Sequence, residues 1–148
     1  MFDLDGALLS PDRRPVSLGE ITGRRGLIVA AVGRGGERGF QMVHRFHDVG
    51  ERLADAGIHL AFVYPRESAR HVLDPVSIAS MRFQRHPLLL LDPVDRYFWQ
   101  IMPARSLAVV HLGSNMVRLA SINIDLREAA WETEVRSFLV DRQAAMPH

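Results

Sequence analysis

Residues 26–40 read GLIVAAVGRGGERGF, an unbroken apolar run followed at once by a glycine-rich turn. The run from Leu27 to Val32 shows no polar alternation, which predicts a central strand covered on both faces. Past the turn the period changes. Met42, Phe46, Val49 and Leu53 recur at spacings of four, three and four, with His44, Asp48, Glu51 and Asp55 on the opposite side, so a helix is expected over 37–56 and Gly57 is a ready left-handed cap. A turn between such a strand and such a helix can cradle a phosphate, present a redox group or simply connect two elements.

Working outward, IHLAFVYP (residues 58–65) reads as a second strand stopped by proline, and a strand, helix and parallel strand make a right-handed crossover unit. Residues 67–83 are a weaker helical stretch interrupted by Pro75. PLLLLDP (87–93) reads as a short strand and residues 94–101 as a short helix or turn. Residues 107–112 and 116–124 form a hairpin around GSN. Residues 126–143 read as a closing helix with Ala130, Val135, Phe138 and Leu139 as its apolar stripe. Alternating β-rich and amphipathic segments of this kind predict an α/β sandwich.

The chain of 148 residues suits a single domain over 1–148, with 1–25 as an N-terminal extension or hairpin and 141–148 as a flexible tail. Its formal net charge of +1 gives no whole-protein field that would call for nucleic acid or an anionic membrane. Every one of the 18 basic Lys and Arg positions is Arg, a usage that reads as codon bias rather than as a binding site. No cysteine occurs, so this chain carries no thiolate nucleophile, disulfide, CxxC pair or cysteine metal site. The apolar runs are too short to span a bilayer and MFDLDG lacks the regions of a signal peptide, so a cytoplasmic location is expected.

Three motifs are weighed against plainer readings. MFDLDGAL is similar to the DxDGT signature of haloacid-dehalogenase-type phosphatases, which would give Asp3 and Asp5 the chemistry; only two residues precede Asp3, Ala7 stands in the place of Thr, and no Lys is present to neutralise a phosphoryl group. Gly33, Gly35 and Gly39 approach a dinucleotide fingerprint, but Arg38 occupies the third glycine position and no acid ends the second strand. His44, His47 and Asp48 have metal-compatible spacing, yet they also belong to the wet face of the expected helix. No metal and no cofactor is expected.

Taken together, FDLDGALLSPDRRPVSLGEITGRRGLIVAAV resembles the opening of a redoxin of the thioredoxin-like superfamily. The phrase VSL (16–18) followed by GRR (23–25) leads into the first central strand, as a "DLDGKPVSL…L.GK" phrase does in those proteins. AGIHLAFVYPRE and FQRHPLLLLDPVDRYFWQI continue the order, the latter being similar to the "FP.L.D….Y.V" segment of peroxiredoxins. The resemblance spans roughly residues 1–140. It implies a thioredoxin-like three-layer sandwich, a central mixed β-sheet with helices on both faces, and it puts Pro103 where the superfamily has a cis-proline.

By the same resemblance Glu37 and Phe40, enclosing Arg38 and Gly39, stand where a thioredoxin has its CxxC. Neither a carboxylate nor a phenyl ring can do a thiolate's work. The resemblance therefore implies a non-redox protein that binds another protein or peptide, a chaperone-like or assembly factor, with Glu37, Arg38, Gly39, Phe40 and Pro103 lining the recognition surface. Phe40 reads equally as an exposed anchor or as a ring packed under the loop. A homodimer through exposed strand edges is compatible with this reading. A small phosphatase using Asp3 and Asp5, or nucleotide binding at the Gly33 to Gly39 turn, are the alternatives.

Overall fold

The computed structural model describes residues 8–33, 39–73, 79, 87–94 and 104–145, with the side chains of residues 39, 40, 71 and 145 outside that set. The strands are β1 (Leu8–Leu9), β2 (Pro15–Val16), β3 (Gly26–Val32), β4 (Ile58–Tyr64), β5 (Leu88–Leu91), β6 (Ser106–Leu112) and β7 (Arg118–Asp125). The helices are α1 (Leu18–Ile21), α2 (Gly39–Arg45), α3 (His47–Asp55) and the C-terminal helix, here α4 (Trp131–Ala145), with a 3-10 turn at Arg66–His71. The strands form one mixed sheet in the order β2-β1-β5-β4-β3-β6-β7.

β3 lies inside that sheet because its sequence can be buried on both sides. It pairs in parallel with β4 and antiparallel with β6, with Ile28 opposite Leu60 on one flank and His111 on the other. Ile28, Ala30 and Val32 join Met42, Phe46, Val49 and Leu53 in one core, and Leu27 and Val29 join Leu8, Leu18, Ala61, Val63 and Leu90 in a second core across the sheet. The helical stripe expected from the sequence is thus fully buried, while His44, Asp48, Glu51 and Asp55 are exposed. α1 is fastened by a reciprocal cap, in which the Ser17 hydroxyl accepts from the Glu20 amide and the Glu20 carboxylate accepts from the Ser17 amide.

The expected single helix over 37–56 is in fact two. It breaks at Phe46, whose backbone leaves the helical region (φ −110, ψ 17) while its N–H reaches the carbonyls of both Met42 and Val43. The Phe46 ring is buried and lies 5.8 Å from Phe62 and 6.0 Å from Trp131. Arg136 of α4 donates to the Arg45 carbonyl, one of the acceptors that the end of α2 leaves open.

α4 also starts later than the sequence suggests. β7 runs on to Asp125 because the Leu126 amide donates to Arg105 (2.7 Å), and the Asp125 carboxylate then accepts from the Arg127 amide in a local turn. Ala130 is consequently exposed and precedes the helix, while Val135 and Leu139 are buried. At the other end the helix continues to Ala145, five residues into the segment expected as a tail.

Candidate functional site

The carboxyl ends of the three parallel strands and the start of β6 lie side by side along one end of the sheet. The order across that end is set by hydrogen bonding: the Asp92 amide, just past β5, donates to Tyr64 at the end of β4, and the Gly33 amide, just past β3, donates to Ser106 at the start of β6, each at 2.8 Å. The Gly33–Ser106 bond matters most, because it ties the first residue of the glycine turn to the segment that follows Pro103.

Of the residues singled out in the sequence, Glu37, Arg38 and Pro103 lie outside the described residues, as do Asp3 and Asp5. Gly39 and Phe40 open α2, with their side chains likewise outside. Their described flanks, Gly33 and Ser106, meet directly.

Three residues near or beyond this end were not picked out from the sequence. Arg105 is exposed, sits at φ 55 and makes no ion pair among the described residues. Nothing in ARSLAVV signals a left-handed residue, since neither Gly nor Asn is there. Asp92 is fully buried, one of three buried polar residues among those described, with Ser68 and His111. Its place directly after an unbroken leucine run is the signal that could have found it. His111 had no visible partner in sequence; its partner is Arg142, on a helix formed by the last part of the chain.

The HxxHD spacing does not build a metal centre. The helix breaks between His44 and His47, so the three-residue spacing no longer stacks the rings on one regular helix. Asp48 is committed to Arg136 (3.1 Å) and Arg52 (3.5 Å), and His47 lies 3.8 Å from Glu51. Among the described residues no group of three His, Cys, Asp or Glu side chains could hold a metal ion. No helix among them is long and apolar enough to cross a membrane.

No protein-family model matches the chain, and no curated protein matches it. Solved structures do. Peroxidoxin BcpB from Mycobacterium tuberculosis superposes with a TM-score of 0.63 at 13% identity, covering 95% of this chain and 93% of its own. Peroxiredoxin Q from Xanthomonas campestris gives 0.60 at 13% identity over 95% and 93%. A thioredoxin-like protein from Porphyromonas gingivalis gives 0.58 at 14% over 97% and 92%. With its mixed sheet of seven strands, helices against that sheet and cover of nearly the whole chain by these structures, the protein has the thioredoxin-like fold of the redoxins, on a sequence with no cysteine.

Proposed function

We propose that the protein is a non-redox, thioredoxin-like binding protein that grips another polypeptide at the end of the sheet where the glycine turn meets the loop before β6. The observation that carries this reading is the 2.8 Å bond from the Gly33 amide to the Ser106 carbonyl, which joins the described flanks of the two segments in a sequence without a thiol. Glu37, Arg38, Gly39, Phe40 and Pro103 are the residues assigned to the recognition surface. Arg105, exposed one residue before β6, is a further cation assigned to that surface, suited to carbonyl or carboxylate groups on an extended chain. Backbone left free next to a proline can pair with such a chain by strand addition. The proposal assigns the activity to the cytoplasm and to a chaperone-like or assembly role.

The test is affinity capture from the native host followed by the double change Arg38→Ala and Phe40→Ala. Loss of the captured partner, with no loss when exposed Val140 on α4 is changed to Ser, is the expected outcome. Capture that survives the double change moves the site elsewhere on the molecule.

A further inference from the structure

Alternate residues of β6 face the helices: Leu107 and Val109 belong to the core under α2, α3 and α4, and His111 is the next residue on that side. Its ring is fully buried. The Nδ1 atom accepts a hydrogen bond from Arg142 Nε at 3.0 Å, which fixes the neutral tautomer with its proton on Nε2. Nε2 has no hydrogen-bond partner among the described residues and lies against Gly26, where a Cβ would come within 3.3 Å of it.

Among the described residues no acidic group is recorded against the ring. β3 presents Gly26 and Ile28 to this position, β7 presents Ala120, and α4 presents Arg142. Arg142 is the one charged group among the described residues whose field acts on the ring, and it is a cation. Protonation at Nδ1 would replace an acceptor with a donor pointing at another donor, and would put two positive charges in contact.

We infer that His111 is an acid-operated latch: while neutral it holds Arg142 and the last turn of α4, residues 140–145, against β6, and on gaining a proton it lets that turn go. The earlier part of α4 stays seated, because Leu139 and Val135 are in the core and Glu132 and Arg136 are tied to α2 and α3. Burial, and then the charge of Arg142, hold the folded His111 down from an ordinary 6.5 to about 4. A released ring would titrate near its ordinary value, so between pH 7 and pH 5 the opening equilibrium should rise roughly 20-fold.

Hydrogen exchange of the intact chain tests this, read as protection factors corrected for the pH dependence of intrinsic exchange. Protection of residues 140–145 should fall roughly 20-fold from pH 7 to pH 5 while that of 132–139 holds, and His111→Gln, which keeps an acceptor but cannot titrate, should abolish the fall. Protection that stays constant in the native sequence overturns the latch, even if Arg142 alone swings out, and so does a fall that survives in His111→Gln. Should that variant not fold, nitrogen NMR of the native ring decides: a ring that titrates near 6.5, or carries its neutral proton on Nδ1, overturns the proposal. Arg142→Met removes the group that the neutral ring holds, so it should lower the protection of residues 140–145 already at pH 7 and shrink the fall to pH 5; protection and a fall unchanged from the native sequence count against the latch equally.

Discussion

The two halves of α4 are held to the same body by opposite means. At its start, Glu132 meets Arg45 at 2.7 Å, Arg136 meets both Glu132 (3.4 Å) and Asp48 (3.1 Å), and the Arg45 and Arg136 guanidinium groups stack over Trp131 and Phe46. Near its end a single buried acceptor, His111, holds Arg142. The first set is partly in water and redundant, so each pair is worth little alone and none is critical. The second rests on a buried ring and has no substitute among the described residues, so its value depends on one protonation state.

Acid divides the two halves further. Hydrogen bonding from Arg45 holds the Glu132 carboxylate below its usual range; for Asp48, burial is the largest single influence and works to raise it, but hydrogen bonds from Arg136 and the Val49 amide, with the charges of Arg136 and Arg52, together outweigh that. These anchors are stabilising above the ordinary carboxylate range and are lost only as pH falls beneath it. His111 loses its contribution in the same direction but over a higher range: its folded value is depressed, so the neutral ring is stabilising above about 6.5 and that contribution is lost as pH falls toward 4.

The strongest way to break the comparison is Phe46→Ala. It removes the ring on which Trp131 and Arg136 both rest and leaves a cavity at the helix break, and should cost about 3–5 kcal/mol in denaturant unfolding at pH 7. Second in size is acidification itself. Global stability should fall by up to about 3 kcal/mol between pH 6.5 and 4, since each tenfold change in the ring's proton affinity is worth about 1.4 kcal/mol, and calorimetry across that range should show a flatter curve for His111→Gln. Smallest is Arg136→Ala. It deletes exposed ion pairs and the bond to the Arg45 carbonyl and should cost about 1 kcal/mol, part of it already absent in 1 M salt.

The aromatic hub also shows where the sequence could and could not be read. Met42, Phe46, Val49 and Leu53 declare a buried stripe by spacing alone, and Leu27 to Val32 declare a strand covered on both faces; both are as the periodicity predicts. The break at Phe46 is silent in sequence because no Pro or Gly marks it. Its partners are Phe62 and Trp131, and Arg136, far along the chain, satisfies the carbonyl it exposes. The start of α4 was obscured for a similar reason, since Arg105 extends β7 from a distance. β1 and β2 have two residues each, too few to show a period.

At the candidate site the balance shifts toward the resemblance. Residue pattern alone left the glycine turn open among phosphate, redox and connecting roles, and only the resemblance carried by the order of the whole chain gave the expectation of Pro103 beside it. The contact between Gly33 and Ser106 is a fact of strand pairing, with β3 and β6 in register up to Val32 opposite Leu107. No local pattern encodes a bond between positions so far apart.

The order of the sheet bears on how the protein is made. Leu27 finds its parallel neighbour, His59, early in the chain, but its antiparallel neighbour, Leu112, comes late. During synthesis this wholly apolar central strand must therefore wait with one row of backbone groups unpaired until most of the chain has left the ribosome. Such delayed closure slows folding and leaves the nascent chain open to wrong strand pairing. A faithful yield of this protein should depend on how quickly its final third is delivered.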